Sequence, residues 1–197
     1  RDQEDIAAIY KRLAHGDVKI DTLTEGEVNE LHVGLKGTMN ALFLKDLAVK
    51  TRRGQRGRVE AGKIPGGNSY GYAIVRRLLA DGSVTTGERE LEPQQADTVR
   101  RIFQLYADGM APRKIAAILN AEGVPSPRGG LWNASTINGS RQRRNGILNN
   151  ELYIGTITYN RQRFVKDPET GKRVSRLNPE HEWAKTDVPD LRIIDDE

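Results

Sequence analysis

TEGEVNELHVGLKGTMNALFLKDLAVKTRRGQRGRVEAGK, residues 24–63, reads as one long helix with two unlike halves. Up to Val49 it is apolar at Val28, Leu31, Leu35, Met39, Leu42, Phe43, Leu44, Leu47 and Val49. Leu42, Phe43, Leu44 and Leu47 wrap around more than one face, which a single core contact cannot absorb. Packing within one domain accounts for some of these positions. A subunit interface centred on Met39, Leu42, Phe43 and Leu47 accounts for the excess. The second half, from Lys50, is a basic run, and it has two readings. It is a solvated helix face, or it lies on a polyanion with Lys50, Arg52, Arg53, Arg56, Arg58 and Lys63 near DNA phosphates or in the minor groove. Thr24-Glu25-Gly26-Glu27 matches a capping box, so the helix is predicted to begin at about residue 25 and to end near 62. That is roughly 55 Å at ~1.5 Å per residue. Gly34, Gly37, Gly54 and Gly57 each cost about 1 kcal/mol in a helix interior, so a bend is expected at either pair.

Charge along the chain follows the same division. Residues 1–49 carry 6 Lys+Arg and 9 Asp+Glu, residues 50–63 carry 6 and 1, and residues 64–197 carry 19 and 17. The total is only +4, so the local block argues for a polyanion partner more strongly than the sum does. Mean hydropathy is −0.64, and no apolar run approaches the ~18 residues of a membrane span. The 197 residues hold no cysteine, which excludes disulfides and thiolate metal sites within them. His15, His32 and His181 are isolated from one another, so no metal or other cofactor is expected. His15 before Gly16 reads as the end of a helix. The opening RDQEDIAAIY has no signal-peptide layout. It leads straight into a helix pattern, so the chain is expected to be a fragment that lacks its front and continues past Glu197.

Upstream of the long helix, Ile6, Ile9, Tyr10 and Leu13 have helical spacing. Asp17 to Asp21 alternates as a short strand whose partners are expected to lie in the absent front. IPGGNS, residues 64–69, is predicted to be a linker between a domain at 1–63 and another at 70–197. YGYAIVRRL reads as a strand, Asp81-Gly82 as a hairpin turn and Ser83 to Thr86 as the return. Three helical patterns follow. One opens at Glu92-Pro93 and stops at Asp108-Gly109; a second runs from Ala111-Pro112 to Glu122-Gly123. A third is capped by Asn133 or Ser135 and runs to about Gly146. Together they predict a helix-turn-helix-like arrangement. Tyr153 to Tyr159 reads as a further strand. Trp132 and Trp183 are expected to be core or loop anchors. The predicted fold is α+β and mainly helical: the tail of an α/β domain, a long connector helix, and a helical domain with short strands.

Nearly the whole chain resembles the large serine recombinases, the serine integrases of phages and mobile elements. Arg1-Asp2 before a helix is similar to the end of that family's D-R-L-S-R-D stretch. GGNSYGY resembles its G-G-x-x-P-Y-G-Y, with Ser69 in place of Pro. LEPQQADTVRRIFQLYADGMAPRKIAAILNAEGVPSPRGGLWNASTI resembles its recombinase domain, and LNNELYIGTITYNRQ its I-L-x-N-P-x-Y-x-G stretch, with Glu151 in place of Pro.

The resemblance implies a resolvase-like catalytic domain up to the long helix. It also implies DNA cleavage by a serine hydroxyl through a phosphoserine link, with arginines neutralising the phosphoryl charge and no metal. The nucleophile would lie outside this chain. None of Ser69, Ser83, Ser126, Ser135, Ser140 and Ser175 is assigned that role, and the chain alone is expected to be inactive. Arg1 maps onto the arginine cluster; the alternative is a frayed terminal arginine. Partners would be double-stranded attachment sites and further copies of the protein, a dimer on each site and a tetramer in synapsis. The setting would be the cytoplasm, on a bacterial chromosome, and no membrane is involved. In the third helix region, Arg128, Thr136, Ser140, Arg141, Arg143 and Arg144 are candidate DNA contacts, to base edges or to phosphates alone. The stretch Arg161 to Arg176 is either a further DNA-contacting loop or exposed loop charge. The rival reading is a non-catalytic, sequence-specific DNA-binding protein or a degenerate recombinase relic.

Overall fold

The computed structural model describes residues 3–24 and 26–195. Arg1, and Glu25 of the expected capping box, lie outside the described residues. The chain is a mixed α+β structure with two compact units, Arg1–Gly54 and Gln55–Glu197.

In the first unit, α1 (Gln3–His15) carries Arg12 and His15 in its last turn, where positive charge suits the helix dipole. The strand predicted over 17–21 is displaced. Asp17 sits at φ 53° in the turn that follows α1. The ribbon is β1 (Asp21–Thr22) against β2 (Gly26–Glu27), antiparallel and local to this unit. Because 26–27 pair with 21–22, the long helix cannot start at residue 25. It starts three residues after the ribbon: α2 spans Glu30–Glu60. Its cap is reciprocal. The Asn29 side-chain oxygen accepts from the His32 backbone N–H at 3.0 Å, and the Asn29 N–H donates to His32 Nδ1 at 3.3 Å, an Asn-x-x-His variant of the box. At 31 residues the helix is about 46 Å long. It runs through Gly34, Gly37, Gly54 and Gly57 without interruption.

All the buried hydrophobic residues among those described lie in the second unit. The end of α2 belongs there: Val59 is fully buried, and Gln55 accepts from the Tyr159 hydroxyl at 2.6 Å. Residues 64–69, expected as a linker, are fastened down. The Ile64 N–H donates to the Gly87 carbonyl at 2.8 Å, and the Arg89 guanidinium donates to Asn68 and to the Gly66 and Gly67 carbonyls. Next come β3 (Tyr72–Val75) and β4 (Glu88–Leu91), paired antiparallel with Tyr72 opposite Leu91. The Asp81-Gly82 turn forms as predicted, closed by Leu79 and Ser83. The return ladder is shifted to β4, with a single bridge, Leu78 to Val84, near the turn.

Helix α3 (Pro93–Ala107) is capped by the Glu92 carboxylate, which accepts from the Gln95 N–H at 2.7 Å. Helix α4 (Pro112–Ala121) follows, and the third helix, α5 (Ala134–Asn138), is one turn long. Ile102, Ile115, Leu119 and Ile137 are fully buried between them, each worth about 1.5–3 kcal/mol of transfer free energy. Trp132 is a core anchor: its backbone exchanges two hydrogen bonds with the Asn120 side chain, and its indole N–H donates to the Val124 carbonyl at 3.0 Å.

The remainder is β5 (Thr156–Tyr159) paired antiparallel with β8 (Ala184–Asp187). Between them β6 (Gln162–Lys166) and β7 (Arg173–Leu177) form a separate antiparallel ribbon. Tyr72 and Tyr153 stack in the core at 5.9 Å. The Tyr72 hydroxyl donates to the Leu152 and Leu191 carbonyls, and that of Tyr153 to the Tyr70 carbonyl. Burial pushes both phenol pKa values up. No helix among the described residues is long and apolar enough to cross a membrane.

Candidate nucleic-acid interface

The sequence predicts a helix through Arg141, Arg143 and Arg144; the backbone turns instead. α5 stops at Asn138 because Gly139 takes φ 49° and ψ −138°, outside the helical region. Residues 139–146 form a loop pinched at its base. A Cβ on Gly139 would stand 1.9 Å from the Asn145 carbonyl oxygen, and one on Gly146 would stand 2.6 Å from the Gly139 Cα. Only glycine fits both sides of that neck. The Asn145 side chain accepts from the Ser140 N–H at 2.8 Å, and Asn149 donates to the Asn138 and Asn145 carbonyls. Ser140 is half-buried and accepts from the Arg143 N–H at 3.4 Å. Arg141, Gln142 and Arg143 are left exposed at the tip.

Arg144 is different. It has a left-handed backbone (φ 47°), and its side chain turns back into the unit. Its guanidinium pairs with Glu151, reaches Glu180 at 3.2 Å, and lies 4.8 Å over the Trp183 ring. Its carbonyl accepts from Arg161 at 2.7 Å. Burial works against a charged Glu151 carboxylate. The Thr158 hydroxyl and the charges of Arg144 and Lys185 outweigh it, and its pKa lies below the ordinary 4.5. Arg144 thus anchors the loop through Glu151 while its neighbours at the tip face solvent.

Beside the loop is a groove of about 810 Å³. Arg128, Thr136, Asn145, Asn150 and Arg161 are among its lining, which includes Arg144 but no carboxylate. Asn150 donates to Ser69 at 3.2 Å, so one motif departure, Ser69, meets the neighbour of the other, Glu151. Burial pushes the Arg161 pKa down, yet a guanidinium stays protonated at neutral pH. The groove therefore presents fixed positive charge and amide groups, a combination suited to phosphate or base edges.

The basic half of α2 places Lys50, Arg52 and Arg53 in the first unit and Arg56 and Arg58 in the second, all exposed. Arg56 pairs with Glu60 at 3.0 Å, and Lys63 with Glu88 at 3.5 Å. The Arg56–Glu60 pair is exposed and contributes little, so it is readily exchanged for another anion, whereas the Lys63–Glu88 pair is half-buried. In the apolar half, Met39, Leu42, Phe43 and Leu47 are 48–66% exposed, with Leu31, Leu35 and Leu44 in the same state.

The sequence did not single out Glu151 or the Gly139–Gly146 neck, and it named Arg161 only as the start of a basic stretch. Glu151 was visible only as an acid where the resemblance expects proline. The glycine pair was visible only as an Asn-Gly at each end of a basic run, Asn138-Gly139 and Asn145-Gly146, which is a turn signal in its own right. Among the described residues, no three of His, Asp and Glu gather as metal ligands. Compared with known families, residues 93–197, more than half of the chain, match the Recombinase family model.

Proposed function

The chain belongs to the recombinase family, and from that we propose that it serves a serine site-specific recombinase by gripping attachment-site DNA and by pairing subunits. The rearrangement would be the integration or excision of a mobile element. The serine that attacks the phosphodiester is supplied from outside residues 1–197. The observation that carries the DNA role is the glycine-necked loop with Arg141, Gln142 and Arg143 at its tip, set beside a cationic groove without carboxylates. A short, braced loop loses little conformational entropy on binding, so its side chains can discriminate between base edges. Arg52, Arg53, Arg56 and Arg58 on α2 supply phosphate contacts. The exposed apolar half of α2 supplies the contact to a second subunit.

A footprint on a candidate attachment site tests this. The chain is expected to protect a half-site without nicking it. Replacing Arg141 and Arg143 with Ala should cost about 1–3 kcal/mol for each base contact and relax the sequence preference. Cleavage by the purified chain would overturn the placement of the nucleophile. Equal loss on all sequences would reduce both arginines to phosphate contacts.

A further inference from the structure

The groove beside the tip loop takes its polar lining from cations, amides and hydroxyls, and one side chain there is of another kind. Of the large hydrophobic side chains that are exposed among the described residues, Leu131 alone lines this groove. It is 73% exposed, and it belongs neither to the hydrophobic core nor to the residues packed against that core. A single exposed leucine is ordinary on a protein surface. What sets Leu131 apart is where it stands and how firmly it is held there.

The loop that presents it is fixed at both ends. Upstream, the Pro125 carbonyl accepts from the Tyr70 hydroxyl at 3.2 Å, Ser126 is buried, and the Ser126 carbonyl accepts from the Gly129 N–H at 2.9 Å. Downstream, the very next residue is Trp132. It is buried, and its backbone exchanges hydrogen bonds of 2.7 and 3.0 Å with the Asn120 side chain. Between these anchors, a Cβ on Gly129 or Gly130 would meet nothing within 4 Å, so nothing covers the loop at those two positions. Leu131 is thus held out in solvent by a braced backbone, and little conformational entropy remains to be lost when it is covered. Arg128, Asn133 and Thr136 line the same groove.

We propose that Leu131 reads thymine: its side chain packs on the 5-methyl group in the major groove, and polar neighbours in the same lining take the adjoining O4. The argument is chemical complementarity. Base pairs offer hydrogen-bond donors and acceptors along the major groove, and the thymine methyl is the one apolar group among them. A braced apolar side chain set among donors matches a methyl beside an acceptor oxygen. The Arg128 guanidinium, the Asn133 amide and the Thr136 hydroxyl are such donors. This rests on the DNA-binding reading above. It adds to that reading a base and the residue that selects it, through a contact that owes nothing to charge.

The test begins with a pool of randomised duplexes of about 30 base pairs, roughly three helical turns, from which the chain selects its preferred sequences. Each thymine of a selected duplex is then replaced singly by deoxyuridine, which removes the methyl and leaves the hydrogen-bonding edge intact. The unsubstituted chain is expected to lose about fourfold in affinity at one thymine, the worth of one apolar carbon withdrawn from water. At that position L131A is expected to bind the thymine and deoxyuridine duplexes alike. Its melting temperature should match that of the parent, because the side chain is exposed. Methyl sensitivity that persists in L131A would overturn the proposal. So would an L131A affinity lowered equally on thymine and deoxyuridine duplexes with the methyl sensitivity unchanged, the sign of a wedge between base steps or a backbone contact. Selected duplexes that hold no methyl-sensitive thymine would also overturn it and would leave the DNA reading standing. Failure of the unsubstituted chain to retain any duplex would remove the DNA reading itself, and the role of Leu131 with it.

Discussion

Glu151 joins more of the second unit than any other single carboxylate described above. It accepts from Thr158 on β5, pairs with Arg144 at the end of the tip loop, and lies 3.7 Å from Lys185 on β8. Because its folded pKa is depressed, the stability it contributes is present above about pH 4.5 and is lost as pH falls through the folded value. Glu151→Gln should therefore lower stability at pH 7 by about 1–3 kcal/mol. The gap between variant and parent should close on acidification toward about pH 3. Chemical denaturation at both pH values measures it; a gap of equal size at each would mean that charge is not what Glu151 supplies. The same variant releases the Arg144 anchor, so base preference should relax along with stability.

At the scale of elements, α2 starts five residues later than the sequence predicted. Two cap signals compete there, Thr24-x-x-Glu27 and Asn29-x-x-His32. The sequence does not rank them, because the choice depends on Gly26-Glu27 pairing with Asp21-Thr22. Periodicity gave α3 and α4 nearly to the residue, since each has its own Pro start and Gly stop. It overran α5, where local propensity was fair but the neck between Gly139 and Gly146 is a contact between residues seven apart. The ribbon β6–β7 was legible as basic charge and illegible as register. The glycines of α2 make a separate test. A Cβ at Gly54 or Gly57 would meet nothing within 4 Å, so neither glycine is needed for packing. G54A/G57A should stabilise the helix by up to about 1 kcal/mol per site. If this segment lies against phosphates, the added methyls should weaken DNA binding even as helicity by circular dichroism rises. Tighter binding by the variant would show that the glycines have no part in the approach to DNA.

For the whole molecule, the two units are built on different terms. The second has a continuous core from Val59 to Ile193. Among the described residues, the first has no buried hydrophobic side chain and exposes a row of large ones on α2. A row of exposed large apolar side chains is the mark of an interaction surface. Sedimentation of the chain is expected to show self-association that Phe43→Asp abolishes. An unchanged sedimentation coefficient would remove α2 from the interface. This division was partly readable beforehand, as an excess of apolar positions over what one core can hold. The pinning of residues 64–69 by Arg89 was not, because a lone arginine in a strand carries no sign of its three partners.

The Tyr72 hydroxyl reaches across 119 residues to the Leu191 carbonyl, and Ile193 closes over Tyr153. During synthesis, α3 and α4 can pair as soon as they leave the ribosome. The Tyr72 strand can pair with β4 early, but its hydroxyl must wait for Leu191. Until then a buried tyrosine pair is open to water, and the nascent chain holds helices without a finished core. A ribosome that stalls shortly before Leu191 would hold the chain with α3 and α4 formed and its tyrosine core unsealed.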